Sequence, residues 1–93
     1  MEFMLNIVEN EILDIAQEEC AEVIQAISKV RRFGFDGKHP DKTFNNREHL
    51  EEEIGDLCCM FDLMREHGMI EWSNVIEASE RKRHKLRIWS NIT

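Results

Sequence analysis

The fold is decided by residues 12–30, which read ILDIAQEECAEVIQAISKV. Their apolar residues recur every three or four positions, which is the period of a helix with one apolar face. Because neither Pro nor Gly occurs in residues 5–32, the sequence predicts one long helix there, either continuous or interrupted near Asn10. Gly34 is expected to end this helix, because glycine tolerates a positive φ.

Two further helices are predicted beyond this stretch. A loop rich in Gly, Pro, Asp and Asn occupies residues 35–46. The second helix is expected over residues 47–67, with Asn45 as its cap and Glu48 completing a capping box. The third helix is expected over residues 73–89 and has a weaker apolar stripe. The pattern favours an all-α fold, a short bundle of three to four helices.

The length and composition restrict the class of protein. The chain has 93 residues, so residues 1–93 are expected to form a single domain with a thin core that homo-oligomerisation completes. Its net charge of −7 argues against general nucleic-acid binding, because phosphates would be repelled. The absence of a long apolar run and of a signal peptide predicts a cytoplasmic protein without a membrane span. The three cysteines are interpreted as small core residues of a reduced protein.

Acidic residues occupy unusual positions on the first two predicted helices. Glu19 and Glu22 share one narrow stripe with Ile15 and Ala26, at spacings of four, three and four residues. A solvated acidic face would not be expected to carry apolar residues on the same line. The second helix repeats this arrangement. Its acidic pair, Glu53 and Asp56, shares one stripe with His49, Met60 and Leu63.

Packing these two faces together would bring four carboxylates close to one another. A pair of unit charges at 4 Å repels by about 1 kcal/mol in water and about 4 kcal/mol at an effective dielectric constant of 20. The carboxylates must therefore protonate, stay apart or bind a cation, and all-oxygen ligands suit Mg²⁺, Mn²⁺ or Ca²⁺. The pairs lack the histidine of the di-iron Glu-x-x-His motif. Spacing alone leaves a solvated acidic surface as the alternative.

Two segments of the chain resemble a known family. The segments EECAEVIQAISKVRRFG and NNREHLEEEIGDL contain EExxE and ExxD motifs in that order. They are similar to the MazG-like, all-α nucleoside triphosphate pyrophosphohydrolases, especially small phage-type members, over residues 15–64. The resemblance implies Mg²⁺-dependent hydrolysis of a (deoxy)nucleoside triphosphate to the monophosphate and pyrophosphate, with Mn²⁺ as a substitute. It also implies a homodimer or homotetramer, located in the host cytoplasm if the protein is phage-encoded.

The resemblance also assigns roles to individual residues. The metal ligands would be Glu19, Glu22, Glu53 and Asp56. Glu18 and Glu19 would be catalytic, with Glu18 orienting the water. The phosphate contacts would be Lys82, Lys85, Arg87 and Lys29. Independently of the resemblance, the side chains of Asn45, Asn46 and His84 are candidates for hydrogen bonds to a base, with a helix cap or a turn as the alternative role of the two asparagines. The family usually has Asn in place of His84.

Three other functions are compatible with the sequence. A non-catalytic helical interaction module would use the acidic pairs only as solvated charge. A nucleic-acid-associated protein would use the basic run at residues 81–87. A divergent member of the family would bind nucleotides without cleaving them.

Overall fold

The computed structural model describes residues 4–92, which form three α-helices and no strand. The helices are α1 (Ile7–Phe33), α2 (Asn46–Glu66) and α3 (Trp72–Trp89). The predicted all-α class is therefore confirmed. No helix in this part of the chain has both the length and the apolar character needed to cross a lipid bilayer.

Helix α1 is continuous, so the alternative of a break near Asn10 is wrong. The Asn6 side chain accepts a hydrogen bond from the Glu9 N–H, and the Glu9 carboxylate accepts one from the Asn6 N–H. This capping box fixes the first turn of the helix. Asn10 lies just inside the cap, and its side-chain amide donates to the Asn6 carbonyl at 3.2 Å. Because that bond adds to the helical hydrogen bonds, Asn10 does not interrupt the helix.

Helix α2 begins at the capping box that the sequence predicts. The Asn45 side chain accepts from the Glu48 N–H at 2.8 Å, and the Glu48 carboxylate accepts from the Asn45 N–H at 3.1 Å. The helix ends at Glu66, one residue before its predicted end, and α3 begins at Trp72, one residue before its predicted start. Helix ends commonly differ by this much.

The loop between α1 and α2 is held by backbone and side-chain hydrogen bonds. The Asn46 N–H donates to the Gly37 carbonyl, and the Arg47 N–H donates to the Phe35 carbonyl, both at 2.9 Å. The Asn46 side chain donates to the Gly34 carbonyl at 3.0 Å. A Cβ atom at Gly37 would overlap the carbonyl oxygen at the end of α1, so only glycine fits there. The loop is therefore closed back onto both helix ends.

The core lies between α1 and α2, which pack against each other, whereas α3 has no comparable packing with either. The most buried residues are Ile12, Ala16, Ala26 and Met60. The three cysteines are exposed, so their assignment to the core is wrong in the single chain. Since α1 has one helical neighbour, it buries one stripe, and apolar residues beside that stripe stay at the surface.

Candidate functional site

Three carboxylates from two helices meet at the α1–α2 interface. Glu19 of α1 and Glu53 and Asp56 of α2 each offer a carboxylate oxygen, and these oxygens lie within 4.8 Å of one another. Glu53 and Asp56 face the same way because residues three apart share a helix face. Glu19 and Glu53 are half-buried, whereas Asp56 is exposed. Three of the four predicted metal ligands therefore form a cluster, hereafter the acidic cluster.

Glu19 has the least favourable environment in the acidic cluster. Its Oε2 atom is buried and has no hydrogen-bond partner among the described residues. The pKa of Glu19 is raised above its ordinary value by burial and then by the charges of its neighbours, listed here in order of effect: Asp56, Glu53, Glu22 and Glu18. No group among the described residues compensates this carboxylate, as expected where a cation binds. The oxygen donors and the unpartnered atom thus fit a hard divalent cation.

Glu18 and Glu22 lie beside the acidic cluster without joining it. Both are exposed, and both contribute to the raised pKa of Glu19. Glu22 is absent from the group of mutually close oxygens that the described residues form. Its assignment as a ligand and the catalytic assignment of Glu18 remain predictions.

His49 is a neighbour of the acidic cluster to which neither carboxylate motif assigns a role. Its Nε2 atom lies 3.3 Å from Oε1 of Glu53, and the two side chains are only 15% and 13% exposed. Its ring centroid is 5.7 Å from that of Phe44. The four-residue spacing of His49 and Glu53 is the sequence feature that predicts this contact, because residues four apart lie side by side on a helix. This contact restricts the position of the Glu53 carboxylate.

The predicted phosphate contacts fall into two separate regions. Lys29 lines a pocket between the end of α1 and the start of α2. Lys82, Lys85 and Arg87 are exposed on α3. No ion pair joins these three cations to the acidic cluster within residues 4–92, and α3 has no packing on either helix of that cluster comparable to that between α1 and α2. Of the four predicted phosphate contacts, Lys29 is therefore the one that lines a pocket beside the acidic cluster within one chain.

The predicted base contacts are also divided between two places. Asn46 lines the same pocket as Lys29, although its amide nitrogen is bound to Gly34. Asn45 uses its side-chain oxygen in the α2 cap. His84 is exposed on α3. Of the three, Asn46 is the one that contacts a concave surface.

Glu19→Gln is expected to stabilise the metal-free protein at pH 7, raising Tm by a few degrees in EDTA. The raised pKa means that the folded chain favours the protonated carboxyl, so its charged form destabilises the fold at neutral pH. The advantage of the variant should shrink as the pH falls through the raised pKa of Glu19, because the wild-type carboxyl then becomes neutral as well. Thermal denaturation at several pH values measures this.

The matched control is Glu52→Gln, which removes an exposed carboxylate of α2 outside the acidic cluster. It should leave Tm nearly unchanged at every pH. Adding Mg²⁺ should raise the wild-type Tm and not that of Glu19→Gln, because ligand binding stabilises only the chain that binds it. If Glu19→Gln lowers Tm in EDTA, the carboxylates do not repel one another as described.

Comparison with known proteins gives one match. The family described as the MazG nucleotide pyrophosphohydrolase domain matches residues 8–87, which include all of the acidic cluster and most of the three helices. No curated protein and no solved structure matches the chain significantly. The match extends beyond residues 15–64, where the motifs lie, and reaches the basic part of α3. The chain belongs to the MazG nucleotide pyrophosphohydrolase family.

Proposed function

We propose that this protein is a Mg²⁺-dependent pyrophosphohydrolase that converts a nucleoside triphosphate to the monophosphate and pyrophosphate. The observation that carries the proposal is the acidic cluster, in which a buried Glu19 oxygen has no partner among the described residues. Family membership supports the reaction type. Preference for deoxynucleotides is proposed from the resemblance to small phage-type members.

Hydrolysis at the α-phosphorus requires a bound cation, a positioned water and a leaving group. Glu19, Glu53 and Asp56 would hold Mg²⁺ or Mn²⁺, with the nearby Glu22 as a further ligand once substrate is bound. The cation would supply electrostatic stabilisation of the phosphate oxygens and of the leaving pyrophosphate. His49 would keep the Glu53 carboxylate in position through its 3.3 Å contact.

Glu18 is the proposed orienting group for the water. It is exposed on α1, and its charge lies close enough to the cluster to raise the pKa of Glu19, so it would accept a hydrogen bond from a water held there. The water oxygen would bond to the α-phosphorus as the bond to the α–β bridging oxygen breaks. That oxygen would leave with the electron pair as part of pyrophosphate, and the water would release its proton to Glu18 or to solvent.

A second copy of the chain is proposed to complete the structure. Helix α3 buries no residue within the described chain, and its Ile88 and Trp89 are largely exposed. Most of the stability of a helix in a protein comes from the packing of its apolar face, and α3 has little such packing within one chain. A homodimer or homotetramer would cover these side chains and would allow the phosphate-binding candidates of α3 to reach an acidic cluster. Sedimentation should then give a mass at least twice the 11.1 kDa of one chain.

Product analysis tests the proposed reaction. Purified protein would be incubated with each of the eight common NTPs and dNTPs, with Mg²⁺ and with EDTA. We expect monophosphate and pyrophosphate with Mg²⁺ only, and faster turnover of the deoxynucleotides. Release of orthophosphate instead would contradict the assigned bond cleavage, and equal rates for both sugars would contradict the preference. The reducing cytoplasm is the proposed compartment, in keeping with three free cysteines.

A further inference from the structure

A second concave site lies next to the acidic cluster, at the α1–α2 loop. This pocket, hereafter the loop pocket, has a volume of about 550 Å³, within the range typical of small-molecule sites. It lies between the C-terminal end of α1, the loop and the N-terminal end of α2. Two aromatic side chains, Phe33 and Phe44, contribute to its apolar wall.

The charged residues lining the loop pocket are all basic. Lys29, Arg32, Lys38 and Lys42 line it, and no Asp or Glu of the described chain does so. None of these four cations forms an ion pair within residues 4–92. Four unpaired cations around one pocket are unexpected in a chain with a net charge of −7. Such a pocket attracts an anion.

The acidic residues of the loop do not neutralise these cations. Asp36 lies 3.6 Å from Arg47, so its carboxylate has another partner. The Asp41 carboxylate is exposed, and neither of the two lines the loop pocket. The charge of the pocket remains available to a ligand.

Aromatic rings help to position two of the cations. The Arg32 guanidinium lies 5.3 Å from the centroid of the Phe33 ring, and the Lys42 ammonium lies 5.8 Å from that of Phe44. Both distances are within the range of cation–π attraction. The loop is also bonded to both helix ends, as described above. The pocket thus exists before a ligand binds, which limits the entropy lost on binding.

The loop pocket and the acidic cluster are neighbours on the same pair of helices. His49 lines the pocket and also contacts Glu53 of the cluster. On α1, Lys29 follows Glu19 of the cluster by ten residues, which corresponds to about 15 Å along the axis. On α2, Asn46 precedes Glu53 by seven residues, or about 10 Å. Because His49 belongs to the pocket and touches the cluster, one ligand can contact both places.

We propose that the loop pocket binds the β- and γ-phosphates of the substrate, the group that leaves as pyrophosphate. This inference rests on the proposed function, which places the α-phosphate at the acidic cluster. The base is neutral and gains little from four cations, whereas the terminal phosphates carry most of the substrate's negative charge. Lys and Arg around the pocket would offset that charge before and during cleavage.

The test uses inorganic pyrophosphate as the probe and a double variant, Lys38→Gln with Lys42→Gln. Both lysines are exposed loop residues, so the helices should remain folded, which circular dichroism checks. Calorimetry in EDTA should show pyrophosphate binding that is about tenfold or more weaker in the variant. The KM for the triphosphate should rise by a similar factor, while binding of the nucleoside monophosphate stays unchanged.

The control double variant, Arg31→Gln with Arg81→Gln, removes the same charge from exposed positions outside the loop pocket. It should retain pyrophosphate binding. Weaker monophosphate binding with unchanged pyrophosphate binding would overturn the inference, because the base or sugar would then occupy the pocket. Pyrophosphate that binds without competing with substrate would also overturn it, since the pocket would then be a separate anion site.

The same measurements separate this inference from the proposed reaction. If the wild type hydrolyses the triphosphate and the lysine variant binds pyrophosphate as well as the wild type does, the loop pocket does not bind the terminal phosphates. The proposed reaction would be unaffected by that result. No hydrolysis by the wild type, with pyrophosphate binding lost in the variant, would refute the reaction and establish an anion pocket that serves another purpose.

Discussion

Asp56→Asn is expected to lower kcat by about 10²–10³-fold or more while the helices remain folded. Asp56 supplies one of the three clustered oxygens, and asparagine replaces a charged ligand by a neutral one of nearly the same shape. The exposed position of Asp56 means that the substitution creates no cavity. Removing its charge also relieves Glu19, whose pKa Asp56 helps to raise. The metal-free variant should therefore melt at or above the wild-type temperature.

The matched control for this variant is Asp62→Asn. Asp62 is exposed on the same helix, and it is outside the acidic cluster. It should leave the initial rate of pyrophosphate release within about twofold of the wild type, as expected for a surface change. Near-full activity of Asp56→Asn would show that the acidic cluster is not the catalytic centre. Loss of helical content would instead show that the residue has a structural role.

The helices and three of the site residues follow from local rules that act within one or two turns. The Asn45–Glu48 capping box and the apolar period specify α2 without reference to the rest of the chain. Glu53 and Asp56 share a face because of helical geometry, and their apolar neighbours turn that face towards α1. Glu19 meets them for the same reason. These features could be read from the sequence because they depend on spacing.

Other features depend on which helices are neighbours, and the sequence pattern contains less information about that. The cysteines were assigned to the core because they follow the helical period, but α1 and α2 bury only one stripe each. The cations of α3 could not be placed near the acidic cluster, because a single chain gives α3 no comparable packing. A second chain would supply the missing neighbours, and its geometry is not encoded in any one helix.

The loop pocket is the least predictable feature of the site. Lys38 and Lys42 look like ordinary surface residues in a polar loop, and Arg32 looks like a favourable charge at a helix C-terminus. They converge because hydrogen bonds from Asn46 and Arg47 fold the loop back onto α1. Such long-range closure has no periodic signature, so the pocket became apparent only from the three-dimensional structure.

Removal of the metal is expected to abolish hydrolysis, and the choice of metal should decide whether it returns. EDTA should reduce the rate to background, because the unneutralised acidic cluster would repel a triphosphate. Mn²⁺ should restore turnover in place of Mg²⁺. Ca²⁺ should bind and fail to support catalysis, because it prefers six to eight oxygens at 2.3–2.6 Å, whereas Mg²⁺ requires an octahedron at about 2.0–2.1 Å.

Initial rates and calorimetric binding of each ion distinguish these effects. Glu53→Gln should weaken binding of all three cations, because it removes a clustered carboxylate that His49 contacts. His49→Gln keeps the carboxylate and removes the imidazole, so it should weaken Mg²⁺ binding by a smaller factor, about 10- to 100-fold at most. Equal turnover with Ca²⁺ and Mg²⁺ would contradict octahedral coordination at the acidic cluster. Full activity in EDTA would show that the four acidic residues assigned as ligands do not serve the reaction through a metal, and the unpartnered Glu19 oxygen would then need another explanation.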